Sequence, residues 1–531
     1  MNPFDSESEA TISPELSLCS PYGPWANGRG PDEQLGLALL ECAAHVEAGP
    51  MAKAARCLAR ATGLAAAAGD GPRKRLTLTL ADCLARCLLR PVPAITDALI
   101  DPCSYLDRRS VRAARRGFFE LSPFPRVAFV VGNRAILEAV ENERSVHVVG
   151  MSGPATQPCQ WIQLLYELRR RRGRPPHVVR LTVIHDDEEL LAKMAELLHD
   201  EAEKLNMEFQ FHGVVGQLED LDSGNLQNVL EIKSGEALAV SCNLQLHRLL
   251  AADDDATYSS RSAHLNQMAS IAQLQHMAAA SSRQPSSSSD CGSVQYKDDD
   301  DSFQSPGTPL AFVSPPASTP HFHTPAPLAS FLSAVRALSP KIVVVAEQDA
   351  DHNGVSFRKR FCEALHHYAA VFDSLDAAAA TSSSRHWPPE ERAQVERVVV
   401  GEEIRGVLLR EGAHRRERHD RLRHWAARME MAGFTGVPLS YDAIRRGNDM
   451  LRRCGLRPGE NKECSGCLLL CWSSRPLYSV SAWRPAASRA SVSGGVSRNQ
   501  DCFFEESAQL RIENLPEQRR QRLPSTVLGF Y

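Results

Sequence analysis

The sequence predicts an α/β protein built on a doubly wound parallel sheet. From residue 145 onward, short β-branched runs alternate with amphipathic segments of helix length, the pattern of a parallel sheet with crossover helices. A helical, leucine-rich block precedes that alternation. Two apolar runs near the end, 467–472 and 477–483, are joined by Ser473, Ser474, Arg475 and Pro476, which suits an antiparallel hairpin at one edge.

In chain order, residues 1–31 are rich in Ser, Pro and Gly without periodicity and are expected to be a disordered lead. Leu35, Leu39, Cys42 and Val46 then recur at helical spacing, with Asp32 placed to cap the first turn and Gly49-Pro50 to close the helix. A second helix, from residue 51 to about 68, carries Ala54, Leu58, Ala61 and Leu64 on one face and stops at Gly69. A third is expected from about 76 to 89, before Pro91. Val146-His147-Val148-Val149 reads as a buried strand, and 159–171 as a helix turning Trp161, Leu164, Leu165 and Leu168 inward. Strands follow at 178–184 and 209–215, with a helix over 188–205 between them. Residues 237–242 and 341–346 supply two more strands, the second followed by a helix over about 356–372. Between those strands, 256–327 turns to Ser, Pro, Gln and Asp and cannot bury enough apolar surface to order itself, so a disordered insert is expected. A disordered tail is expected over 485–531, which is Ser- and Arg-rich with little periodicity.

Hydrophobic residues make up 43% of the 531 and charged residues 23%, which excludes wholesale disorder and collagen-like or coiled-coil architecture. Sixty Lys plus Arg against 64 Asp plus Glu leave a net charge of −4, so no global field drives binding to nucleic acid or membrane. The acidic first residues lack the apolar core of a signal peptide, and no stretch approaches the roughly 18 to 20 apolar residues of a membrane span. The 15 cysteines are scattered through expected helices and strands and read as reduced, buried small hydrophobes.

The loop after the first strand, Gly150-Met151-Ser152-Gly153-Pro154-Ala155, is not the G-x-G-x-x-G turn of a dinucleotide site, and Pro154 removes an amide donor where a phosphate cradle needs one. No cofactor is expected. Asp186 and Asp187 read as helix-entry acids, not ribose ligands. His185, His352 and Glu347-Gln348-Asp349 sit at strand ends, but no nucleophile accompanies them and no catalytic residue is expected. Cys464, Cys467 and Cys471 hint at zinc yet lack a second ligand pair at defined spacing, so no metal is expected.

Arg169, Arg170, Arg171 and Arg172 form a basic cluster that suits nuclear import or, equally, a helix C-terminus. Leu246, Leu249 and Leu250 make an LxxLL pattern, an anchor for a partner's groove or ordinary core. Residues 415–425 are dense in both signs and read as a helix with a solvated, ion-paired face. Ser305, Thr308, Ser314, Thr319 and Thr324 each precede proline and are candidates for proline-directed phosphorylation, each adding about −1.5 to −2 charge.

These pieces in this order resemble the plant GRAS family of transcriptional regulators. Val146, His147, Val148, Val149 and Gly150 stand where the family has its VHIID motif, with Gly150 in place of the acidic residue. Leucine-rich helical stretches flank it at 32–89 and about 218–250. Pro340, Tyr368, Phe372, Glu402 and Glu403 lie in stretches resembling the PFYRE region. Arg418, Trp425, Trp472, Ser481, Ala482 and Trp483 fall in the part resembling the SAW motif. The match covers about 32–484 outside the insert and is most like the scarecrow-like 3 branch. The resemblance implies one GRAS domain over 32–484, with a helical part at 32–144 and an α/β core at 145–255 and 328–484. It implies a methyltransferase-like Rossmann core sheet under an α-helical cap, and a nuclear, non-enzymatic co-regulator acting through protein partners. For that branch it implies gibberellin signalling and growth or root development, with DELLA-type and other GRAS proteins and indeterminate-domain zinc-finger factors as partners. DNA would be reached through those partners, with no membrane contact. The alternative on the same fold is a small-molecule binder or S-adenosylmethionine-dependent methyltransferase.

Overall fold

The alternation of β-branched runs and helices closes into one nine-stranded sheet. The computed structural model describes residues 31–67, 69–89, 107–171, 173–221, 223–251, 324–382, 385–456 and 461–487. Strands β1 (Ser145–Met151), β2 (Val178–His185), β3 (Glu208–Val215), β4 (Ala237–Asn243) and β5 (Ile342–Gln348) run parallel in the order 3-2-1-4-5. The direction of strand addition reverses between β1 and β4, the crevice where open α/β sheets bind ligands. The sheet continues with antiparallel strands β6 (Phe434–Val437), β7 (Lys462–Cys464), β8 (Cys467–Trp472) and β9 (Arg475–Pro485). Of these, β9 pairs with β5 on one side and with β8 and β6 on the other.

The expected hairpin is there, but β9 is an interior strand and not an edge, because it covers the free backbone groups of β5. The β8–β9 connection is tighter than expected: Ser473 (φ 47°) and Ser474 (φ 64°) alone make a two-residue turn. Both residues are left-handed, the hand that matches strand twist.

The amino-terminal helices are α1 (Pro31–Ala48), α2 (Met51–Ala67) and α3 (Pro72–Leu89), close to the expected bounds. Helices α4 (Arg108–Leu121) and α5 (Pro123–Ala139) were hidden in the sequence. In α5 nearly every side chain is buried, so it shows no one-sided stripe, and Pro123 and Pro125 read as breakers although they stand in the first turn, where proline is tolerated. The crossover helices are α6 (Pro158–Arg170) and α7 (Glu188–Lys204). The leucine-rich stretch about 218–250 is not a long helix: it folds as short 3-10 turns, the four-residue α8 (Leu226–Val229) and β4. Helix α9 (Ala326–Ala337) starts inside the span expected to be insert; the rest of that insert, the lead and the tail beyond residue 487 lie outside the described residues. The chain continues through α10 (Phe357–Thr381), which ends nine residues later than expected, α11 (Pro389–Val395), α12 (Gly401–Leu408), α13 (Leu422–Met431) and α14 (Tyr441–Arg453).

Strand alternation sorts the core into two layers. Val146 and Val148 pack with Trp161 of α6, residues of α5 and Phe361, Leu365 and Tyr368 of α10, a layer that extends into α1 to α3. Val149 and Met151 face the other way, onto Phe331 of α9, Trp425 and Met429 of α13 and Trp483 of β9. Two expectations fail. Residues 415–420 are not a solvated helix: they run without helical structure, Arg416 exposed but Arg415, Arg418, His419 and Asp420 buried, and helix begins only at Leu422. Among the described cysteines, Cys42, Cys83, Cys87, Cys242 and Cys471 are free and buried as read, whereas Cys57 and Cys467 are half-buried, Cys159 and Cys464 are exposed, and Cys362 is disulfide-bonded.

Candidate functional site

The carboxyl ends of β1, β2 and β4 meet where a methyltransferase-like sheet would receive its ligand. Val146, Val148 and Gly150 point to the helix-covered layer, and Gly150 lies directly under the Trp161 indole. His147 points to the opposite face, fully buried, with Nε2 2.9 Å from Thr182 Oγ1 and Nδ1 3.3 Å from Glu236. Burial first, and then the Arg180 guanidinium, lower its pKa to about 4, so the ring is neutral. It is a packing residue of the sheet.

The loop after β1 is closed over by protein. Gly153 takes a left-handed conformation (φ 41°), and the Gln245 carboxamide lies so near that a Cβ on Gly153 would stand 2.5 Å from its Cδ. What remains is a small cleft of about 20 Å³, room for little more than a water molecule, bordered by Met151, Gly153, Asp186, Gln217, Gln245 and Arg248. Asp187, the other acid at the end of β2, is occupied: it accepts from Leu190 N as the N-cap of α7 and receives the Arg112 guanidinium at 2.6 and 2.7 Å. That is the helix-entry role read from its position. His185 is also buried, with Nδ1 accepting from Asp187 N.

Behind this cleft lies a buried polar chain. Glu347, at the end of β5, accepts from Gln245 N (2.9 Å) and Leu246 N (2.7 Å) and pairs with His247 Nδ1 at 2.7 Å. His247 Nε2 meets Glu417 at 3.0 Å, and Glu417 also receives Arg248 at 3.3 Å. His419 follows, its Nδ1 2.9 Å from His352 Nδ1. Burial opposes charge on His247, but the carboxylates on either side outweigh it and push its pKa up to about 10. Burial and the charged His247 lower His419 to about 3. Close by, the Tyr368 hydroxyl donates to Glu403 at 2.7 Å, and burial followed by the Glu417 charge raises the Glu403 carboxyl to about 7.

The residues singled out from sequence therefore occupy several places. Pro340, Tyr368 and Phe372 are buried, while Glu402 pairs with Arg405 at 3.1 Å. Arg418 is spent on the carbonyls of Arg415 (2.8 Å) and Gly412 (2.9 Å), and Arg415 on that of His352 (2.7 Å). Trp425, Ser481, Ala482 and Trp483 are core, and Trp472 is half-buried. Leu246, Leu249 and Leu250 are buried in a 3-10 turn and offer no anchor to a partner. In the basic cluster, Arg169 donates to Leu205 O and Arg171 to Val140 O and Glu143 O, which ties the end of α6 to its neighbours. Arg170 lies over the Tyr166 ring; Arg172 is outside the described residues. Cys464 and Cys467 face each other across the β7–β8 turn. Ser305, Thr308, Ser314 and Thr319 are outside the described residues, and the Thr324 hydroxyl is enclosed just before α9.

Residues 35–484 match the GRAS domain family. The chain is a GRAS protein. It is 39% identical over 453 residues to Scarecrow-like protein 3 of Arabidopsis thaliana, covering 84% of this chain and 88% of that one. It is 29% identical over 457 residues to DELLA protein GAI1 of Vitis vinifera, covering 84% and 61%. Its fold is like the crystal structure of SCL7 of Oryza sativa, with a TM-score of 0.59 at 24% identity over 85% of this chain and 99% of the other. GRAS proteins such as these are transcriptional regulators in plant development and gibberellin signalling. No helix among the described residues is long and apolar enough to cross a membrane.

Sequence reasoning missed His247, Glu417 and His419 as neighbours. The signal was present: His247 sat inside the leucine pattern, and Glu417 and His419 inside a run whose charge density read as exposure.

Proposed function

We propose that this GRAS protein is a non-enzymatic nuclear co-regulator of transcription that works through protein partners in gibberellin signalling and growth or root development. The observation that carries this reading is Gln245: its carboxamide fills the space over the loop after β1 that a nucleotide-type cofactor needs. Asp187 is likewise committed to Arg112 and to capping α7. DELLA-type and other GRAS proteins and indeterminate-domain zinc-finger factors are the proposed partners, with DNA reached through them. The near-neutral charge supports indirect contact, because direct duplex binding draws on a basic surface. A pull-down of the full chain against those proteins, with promoter DNA as parallel bait, tests this. Capture of partners without DNA is expected; tight DNA binding by the chain alone overturns it.

The position of the cleft bordered by Asp186, Gln217 and Arg248, at the crevice between β1 and β4, is what supports one second reading, a small-molecule site on the same fold. Calorimetry with S-adenosylmethionine decides it, a saturable heat supporting the second reading and no heat the first.

A further inference from the structure

The polar chain beneath the cleft holds more donors than an ion pair needs. His247 Nε2, a Glu417 carboxylate oxygen and a ring nitrogen of His419 all lie within 4.8 Å of one another. His247 Nε2 is 3.0 Å and His419 Nε2 3.6 Å from Glu417 Oε2. Zinc bonds of about 2.0 to 2.2 Å in tetrahedral geometry place donor atoms about 3.3 Å apart, between those two separations. His419 Nε2 is fully buried and makes no hydrogen bond, although it is aimed at the same oxygen as His247. A buried ion pair between His247 and Glu417 has no use for that second ring.

We propose that His247, Glu417 and His419 bind a divalent transition-metal ion of the zinc type. Two imidazoles and a carboxylate are a donor set that suits such an ion. The outer shell is already built. Glu347 holds His247 Nδ1 at 2.7 Å and is itself fixed by two backbone amides, the carboxylate–histidine arrangement that orients a metal-binding ring. His352 holds His419 Nδ1 at 2.9 Å, which turns Nε2 inward. On binding, His247 Nε2 gives up its proton to solvent and its lone pair to the ion, and Nδ1 keeps its proton toward Glu347. The charges of Glu347 and Glu417 balance the dication, while Glu219, 3.4 Å from Arg248, balances the guanidinium that stays on the other Glu417 oxygen. Glu417 retains 19% of its side-chain exposure, which gives the ion a way in.

The test uses the full chain, purified without a metal-affinity step, stripped with a chelator and titrated with cobalt(II). Saturable uptake of one ion per chain is expected, with visible ligand-field bands, no thiolate charge-transfer band, and displacement by zinc. Glu417→Gln and His419→Gln should each weaken uptake by at least tenfold, and Glu347→Gln by about 10- to 100-fold. No uptake by the wild-type chain overturns the proposal. So does a thiolate band abolished by Cys464→Ser, which would place the ion at the β7–β8 turn. The cobalt spectrum and Cys464→Ser decide the matter even if the buried variants fail to fold.

Discussion

The Trp161 indole lies over Gly150 so closely that a Cβ on Gly150 would stand 2.4 Å from its Cζ2. The glycine in the VHIID-like strand is thus a packing device, since β1 is central and Trp161 is 1% exposed. Gly150→Ala should cost about 1–3 kcal/mol, the usual range for overpacking, measured by chemical denaturation. In a double-mutant cycle, Trp161→Phe should relieve part of that cost. Strict additivity would show that the ring moves aside freely.

Trp483 is 3% exposed, lies in the same core layer as Trp425 and donates its indole N–H to Ser481 Oγ at 2.9 Å. Trp483→Ala should destabilise the fold by about 3–5 kcal/mol. An unchanged melting temperature would contradict its place in the core.

Glu403 carries a pH signature. Its carboxyl is raised to about 7 in the folded chain against an ordinary 4.5, so the folded state holds the proton more tightly than the unfolded one. Its contribution to stability is therefore present below pH 4.5 and lost as pH rises through about 7. Glu403→Gln keeps an acceptor for Tyr368 and removes the charge. Thermal melts should show the variant close to wild type at pH 5 and more stable than wild type at pH 8. Parallel curves would exclude the shift.

Ser473 and Ser474 both hold left-handed backbone in the β8–β9 turn, which costs roughly 1–2 kcal/mol per side chain-bearing residue. Replacing the pair by Asn-Gly, the preferred sequence for this turn, should stabilise the protein by about 0.5–1 kcal/mol. A lower melting temperature would mean that the serine hydroxyls matter to the turn.

The sheet was legible because Val146–Val149, 178–184 and 237–242 are short, β-branched and bounded, a signal carried by local residues alone. Helix α5 was not, because a helix buried on all sides has no period to read. The site failed for a related reason. Arg415, Arg418 and His419 look like surface by composition, but each is satisfied by a partner 60 residues or more away or by a local carbonyl, as Arg415 is by His352 O. Such pairing is a property of the folded topology and leaves no mark in spacing. Asp187 was readable because its cap partner, Leu190 N, is local; its fork to Arg112 was not.

The position of β9 also bears on how the protein is made. Chains emerge from synthesis amino-terminus first. Strand β5 ends at Gln348, yet the neighbour that covers its outer edge is not complete until Pro485. For the span of synthesis between them, the parallel half of the sheet has an uncovered edge of entirely buried-type residues, Ile342 to Gln348. A chain stopped before β9 would carry that sticky margin permanently, so premature termination near the carboxyl end should produce aggregates rather than a shortened regulator.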